Sequence, residues 1–185
     1  CGAVIWATGW RPYDAAKIQP YAYDRIANVV TSVEFERMAD PTGPTGGKLL
    51  RPSDGKEAKK VAFIQCAGSR DRNYLMHCSR ICCMASLKQC TYVADAWGED
   101  ADISVYYIDI RAIDRFEDFY ERVKKIEQVK FIKSKPAAVV ADKEGNPVVH
   151  GVDTEGYRRF EDAHDLVVLA IGMEPSVDKD SFPVD

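Results

Sequence analysis

At 185 residues the chain allows one domain of ordinary size, or one with an appendage. Hydrophobic residues make up 46 %, enough for a core, while a net charge of −4 argues against nucleic acid as a general partner. No apolar run approaches the roughly 20 residues that span a bilayer, and residues 1–10 lack the charged start of a signal peptide, so direct membrane insertion is not expected.

Taken in chain order, Ala3-Val4-Ile5-Trp6-Ala7-Thr8-Gly9 is an apolar run that reads as a buried strand. Arg11 to Tyr23, with two prolines and three tyrosines, reads as loop. Thr31 to Met38 reads as a short helix, with Ser32 as its cap and Glu34 and Glu36 in the first turn. The Gly- and Pro-rich stretch Asp40 to Gly47 ends it. Lys48 to Lys60, with Pro52 and Asp54-Gly55, is a turn before the next strand.

Val61 to Gln65 is a second buried strand, and Cys78 to Trp97 reads as a helix. Across their junction, the stretch CAGSRDRNYLMHCSRICC carries Cys66, Cys78, Cys82 and Cys83, four of the six cysteines. The carboxyl end of a strand in an α/β sheet is where ligands usually bind. Thiolate sulfur suits iron–sulfur clusters and structural zinc. The spacing C-x11-C-x3-C-C is neither the ferredoxin run nor a paired zinc knuckle. Burial as small hydrophobes, a disulfide or redox thiol pair, zinc and an iron–sulfur cluster all remain open on spacing alone. Clustering of this kind points to a reducing, cytoplasmic compartment and not to a secreted disulfide framework. A helix start favours thiolates, and Arg70, Arg72 and Arg80 add positive charge for an anionic group. Cys90 lies outside the stretch and is expected to be buried. His77 beside Cys78 is a candidate ligand or proton relay, although a lone His is more often neither.

Ile103 to Ile108 is a third strand, Phe116 to Glu127 an amphipathic helix, and Val129 to Ile132 a fourth strand. Ala137–Asp142, Val148–Asp153 and Tyr157–Asp162 alternate as antiparallel strands joined by turns at Glu144-Gly145-Asn146 and Thr154-Glu155-Gly156. Leu166 to Ile171, followed by Gly172, is a last buried strand. The order predicts an α/β fold: a Rossmann-like, doubly wound parallel sheet with an attached three-stranded β-meander.

The segments VAFIQCAGSRD, HCSRICCM and LKQ resemble the A-subunit family of heterodisulfide reductase, which includes flavoprotein subunits of the quinone-interacting membrane-bound oxidoreductase. The resemblance implies that Cys66, Cys78, Cys82 and Cys83 ligate a [4Fe–4S] cluster. The paired runs ending at Thr8-Gly9 and Gly172 resemble those bracketing the pyridine-nucleotide domain of two-dinucleotide-binding flavoproteins. FAD is then expected against Thr8, Gly9 and Gly172. The implied organisation is a strand, loop and short helix over 1–60, an iron–sulfur domain over 61–172, and a return towards a flavin domain over 173–185.

With its start at Cys1 on a strand-like run, the chain reads as a piece of a larger flavoprotein. Its implied role is electron relay between flavin and clusters on other subunits of a heterodisulfide-reductase-like or quinone-interacting complex, with membrane association only through those partners. The competing function is a thiol–disulfide enzyme or sensor using Cys82 and Cys83; a third is an assembly scaffold with an inert zinc.

A dinucleotide site should show G-x-G-x-x-G after its first strand. Here the place reads Gln65-Cys66-Ala67-Gly68-Ser69-Arg70, with only Gly68 remaining. Asp109 stands where a ribose-binding acid is expected. The reading is that a metal site has replaced the nucleotide site, and tight NAD(P)H binding is not expected.

Overall fold

Four of the apolar runs pair side by side, and the computed structural model, which describes residues 2–177, places them in one parallel sheet. Its strands are β2 (Val29–Thr31), β3 (Lys60–Ala67), β4 (Asp102–Tyr107), β5 (Val129–Lys133) and β9 (Leu166–Ile171). Their order is β2-β9-β3-β4-β5, and every neighbouring pair is parallel. Strands β3 and β9 are central and almost wholly apolar, as expected of strands covered on both faces.

Three helices cover one face: α1 (Ser32–Ala39), α2 (Cys82–Trp97) and α3 (Glu117–Lys124). Phe35, Leu87, Cys90, Val93 and Val123 from these helices pack on Val61, Phe63, Ile103 and Val168 of the sheet. The opposite face is covered by the antiparallel meander β6 (Ala138–Ala141), β7 (Pro147–Asp153) and β8 (Arg158–Ala163). Tyr13, Ile18 and Tyr21 pack there with Val139, Val149 and Phe160 against Ala62, Ile64 and Tyr106. The segment expected as loop from Arg11 to Tyr23 is therefore partly core, folded as two 3-10 turns at Ala15–Lys17 and Gln19–Tyr21. Tyr106 donates to Asp162 on β8 at 2.9 Å and meets His164 at 3.1 Å, which ties the sheet to the meander.

Several boundaries differ from the sequence reading. Residues 3–9 lie outside any strand and Ile5 is 91 % exposed, because no sheet edge among the described residues runs beside them. The pairing falls just beyond, where β1 (Trp10–Pro12) runs antiparallel to β10 (Met173–Pro175). The cap of α1 is Thr31, not Ser32: its hydroxyl accepts from Glu34 N–H and the Glu34 carboxylate accepts from the Thr31 N–H, a full capping box. Helix α2 starts at Cys82, four residues later than expected, because Arg80 sits at φ 70° and breaks the helical path before it. Of the segment 173–185, residues 178–185 lie outside the described residues.

Candidate metal centre

The chain leaves the sheet centre at β3, reaches α2 at the carboxyl end, and comes back to insert β9 on β3's other side. Neighbouring connections thus diverge between β3 and β9, the switch point where α/β sheets open a crevice. The four cysteines gather at this edge. Cys66 is on β3 itself, beside a register shift between Ile64 and Ala67, with φ at 55°. A bulge with a left-handed residue re-aims a side chain off the pleat, at a cost of about 1–2 kcal/mol for a non-glycine. Cys82 and Cys83 open α2, and Cys78 lies on the loop before it.

That loop is held by its own backbone. Ser69 N–H turns back to Cys66 C=O at 3.1 Å, Leu75 N–H reaches Gly68 C=O at 2.9 Å, and Arg70 N–H reaches His77 C=O at 3.2 Å. Its far side is pinned to β9 and β10: Ser79 Oγ accepts from Met173 N–H at 2.8 Å, and the His77 ring contacts the Met173 carbonyl at 3.0 Å. His77 Nε2 is thereby engaged with backbone. Arg70 bonds Asp109 at 2.8 Å and also reaches the Cys66 sulfur, so the loop is clamped to the end of β4 as well. Asp109, the candidate ribose acid, is taken up by Arg70 and by Arg111 at 3.3 Å. Arg80 pairs loosely with Asp114 at 3.6 Å on the surface, and Arg72 is exposed.

Each of the four thiols lies within electrostatic reach of the other three. None is in a disulfide; Cys66, Cys78, Cys82, Cys83 and Cys90 are all free. Cys82 S–H donates to Ile171 C=O at 3.3 Å, Cys83 S–H points to Asp109 C=O at 3.9 Å, and Cys78 sulfur accepts from Arg80 N–H at 3.4 Å. Burial, reinforced by the neighbouring sulfurs, pushes the Cys82 thiol up to about 12. Burial raises Cys66 and Cys83 as well. The expectation that the helix start would favour thiolates is thus outweighed by desolvation. Nucleophilic cysteines need a lowered value, the opposite of what burial does to Cys66, Cys82 and Cys83.

As the side chains stand, no three His, Cys, Asp or Glu groups among the described residues are close enough to hold a single metal ion. Four sulfurs around one zinc sit roughly 4 Å apart, given Zn–S near 2.3 Å and tetrahedral geometry. In a cubane each cysteine takes a different iron, so the sulfurs stand wider apart. Four free thiols on one strand end, its loop and the next helix start are a donor set of the chemistry an iron–sulfur cluster takes.

The flavin candidates separate. Gly9, at φ 74°, faces open space, and Thr8 is exposed. Gly172 instead packs against the cysteine loop: a Cβ there would meet Ser69 Oγ at 2.5 Å, Leu75 Cδ1 at 2.7 Å and Ser79 Oγ at 2.9 Å. An open cavity of about 510 Å³ runs beside the loop, with Trp10, Cys82, Ile171, Gly172 and Met173 in its wall. Sequence reasoning missed Trp10 here, and missed the buried Gln65, whose amide has no partner at either end.

No protein-family model matches the chain. It is 45 % identical over 177 residues to the A-subunit of ferredoxin:CoB-CoM heterodisulfide reductase of Methanosarcina mazei, covering 95 % of this chain and 22 % of that protein. It is 42 % identical over 177 residues to the second iron-sulfur A-subunit of CoB–CoM heterodisulfide reductase of Methanopyrus kandleri, covering 94 % and 27 %. The A-subunit of H2:CoB-CoM heterodisulfide,ferredoxin reductase of Methanothermobacter marburgensis is 42 % identical over 176 residues, again with 94 % and 27 % covered. The chain therefore spans about a quarter of the length of these relatives. Among solved structures, thioredoxin reductase of T. acidophilum is similar at a TM-score of 0.47 and 11 % identity, over 91 % of this chain and 43 % of that one. The Streptococcus pyogenes thioredoxin reductase gives 0.42 and 14 %, over 69 % and 37 %.

Proposed function

The chain belongs, over the segment it spans, to the A-subunit family of heterodisulfide reductase, and from this premise we propose that it is an electron-transfer module holding a [4Fe–4S] cluster on Cys66, Cys78, Cys82 and Cys83. One observation carries the reading: four free thiols, from one strand end, its loop and the following helix start, lie within electrostatic reach of each other at the sheet's switch point. A relative's designation as an iron-sulfur subunit supports it. The bound group would take up and return one electron at a time.

The chain's own residues do the holding. Ligation deprotonates a thiol outright, so Cys82 and Cys83 would give up their S–H bonds to Ile171 and Asp109 and turn towards the centre. Arg80 N–H, already on Cys78 sulfur, and Arg70, already on Cys66, would stay as donors to ligated sulfur. In the intact protein, FAD would approach from the cavity walled by Trp10 and Cys82, past Thr8 and Gly9. The exposed apolar side chains Met76, Ile81 and Phe116 around the loop suit another subunit of a heterodisulfide reductase complex. The quinone-linked relatives would use the same face.

Anaerobic reconstitution tests this. About four iron and four acid-labile sulfide per chain are expected, with a broad visible band that bleaches on reduction. Cys82→Ser should lose the iron while keeping the far-ultraviolet spectrum, because the core strands lie elsewhere. No iron uptake, with titratable dithiol activity at Cys82 and Cys83, would favour the redox-sensor reading and overturn this one.

A further inference from the structure

Gln65 precedes Cys66 on β3 and is 1 % exposed, yet neither its amide nitrogen nor its amide oxygen has a hydrogen-bond partner. A buried amide unpaired at both ends is rare in folded proteins, because desolvation is not repaid. Nothing in the packing asks for a glutamine there. The other residues on that face of β3, Val61 and Phe63, are apolar and sit in the core formed with α2.

By position Gln65 continues the face of Val61 and Phe63, towards α2, and it shares with Cys66 the irregular step between Ile64 and Ala67. The buried residues of α2 are Cys83, Ser86, Leu87, Gln89, Cys90 and Val93. Leu87 and Cys90 belong to the same core as Phe63. The helix returns against the strand direction, so one step past Phe63 on β3 matches one turn back from Leu87 on α2, at Cys83 and Ser86. Ser86 Oγ is also fully buried and without a partner, and so is Ser69 Oγ on the cysteine loop. Three buried side chains with unpaired polar atoms thus stand within four residues of a cysteine along the chain: Gln65 beside Cys66, Ser69 three residues after it, and Ser86 three after Cys83.

We propose that Gln65, supported by Ser86, donates its amide N–H to sulfur of the cluster held at Cys66 and Cys83 and so sets the reduction potential of that centre. The inference rests on the cluster reading above. Cluster sulfurs and ligating thiolates accept hydrogen bonds, and a reduced cluster carries one more negative charge than an oxidised one. A donor therefore stabilises the reduced form more and raises the potential. The missing partner of the amide is then the group the site exists to hold. Gln65 is a positioning residue of the electron-transfer site, not a ligand.

The test is an anaerobic redox titration of the reconstituted chain, following the paramagnetic signal of the reduced cluster. Gln65→Leu keeps the size and removes the donor. It should retain full iron and sulfide and lower the reduced-to-oxidised ratio at fixed potential by about tenfold, about 59 mV for one electron. Gln65→Glu, which keeps the shape and adds negative charge, should shift the same way and further, and is titrated in its place if the leucine variant does not load. An unchanged midpoint in a fully loaded variant overturns the inference and leaves the cluster standing. A wild-type chain that takes up no iron overturns the reading beneath it. Urea unfolding of the metal-free chain adds a separate readout. Removing an unpaired amide should leave stability unchanged or higher, and a marked loss would show that Gln65 is structural and refute the proposal.

Discussion

Gly172 follows the last central strand, and its replacement by alanine separates two reasons for a glycine there. The new Cβ would stand 2.5 Å from Ser69 Oγ, 2.7 Å from Leu75 Cδ1 and 2.9 Å from Ser79 Oγ. All three belong to the cysteine loop, and all three are buried. All three are side-chain ends on a buried loop and must shift together, and Ser79 is also held by Met173 N–H at 2.8 Å. Crowding of this kind costs about 2 kcal/mol, and loss of the Ser79 bond adds about 1 kcal/mol. Gly172 is absent from the residues with positive φ, so the backbone itself accepts alanine. Urea unfolding of the reduced, metal-free Gly172→Ala chain should therefore show a loss of about 3 kcal/mol with an unchanged slope. Iron uptake should fall in parallel, as the displaced loop carries Cys78 away from the others. If the glycine serves only the close approach of a flavin, the metal-free variant will match wild type within about 0.5 kcal/mol. That result would refute the packing argument.

Cys90 is fully buried on the inner face of α2, two turns beyond Cys83, and lies apart from the other thiols. Cys90→Ala should cost about 1–2 kcal/mol in denaturant stability and leave the iron stoichiometry of the reconstituted chain unchanged. His164 provides a pH prediction. Tyr106 donates to Asp162, so the His164 Nε2–H donates to Tyr106, and Nδ1 stays buried with no partner. Burial, with Lys60 nearby, pushes the imidazole down from 6.5 to about 4. The unfolded chain therefore binds the extra proton first, and stability that is full above pH 6.5 is lost as pH falls towards 4. The loss is about 3 kcal/mol for this group. Denaturant midpoints taken across that window should lose this slope in His164→Leu, and a slope that persists would show that other groups cause it.

The strands of the sheet were legible because each is a continuous apolar run, and the meander because its three runs alternate around Gly-containing turns. The exceptions have local causes. Strand β2 has only three residues, too few for periodicity, and exists because β9 offers it a parallel edge. Residues 3–9 look like a strand but find no partner edge among the described residues, and the pairing that does form is set by Met173–Pro175. The start of α2 was misjudged because Arg80, at φ 70°, carries no sequence mark of its left-handed turn. For the site, clustering singled out four cysteines and the resemblance implied that they are ligands, but neither tells whether the chain brings them together. That depends on the bulge at Cys66 and on the pinning of Ser79 to β10. Gln65 was visible as a polar residue in an apolar strand, but its lack of partners is a three-dimensional fact.

The two helix starts at the carboxyl edge differ in a way that would let ligating sulfur stand where a dinucleotide-binding sheet holds phosphate. Helix α1 closes its N-terminus with its own groups: Thr31 caps it and Glu34 places a carboxylate against the dipole. Helix α2 does neither. Its N-cap Ile81 has no side-chain bond to offer, and no acidic residue lies in its first turn. Its first N–H groups and the positive end of its dipole are left facing the switch point. In a dinucleotide site that field would receive a pyrophosphate. Here the residues at the same spot are Cys82 and Cys83, which would be anionic if they held the proposed cluster and would then need the same compensation. The field does not distinguish the two anions; the loop does. Phosphate needs glycines so that backbone can approach it, whereas this loop spans Gly68 to Ile81 and is tied to β3, β9, β10 and the residues after β4 by contacts through Ser69, Arg70, Ser79 and Gly172. A long, anchored loop fills the space a pyrophosphate would take and, on the proposed reading, would deliver side-chain ligands, so that one electrostatic feature of the fold would serve a different group without a change of topology.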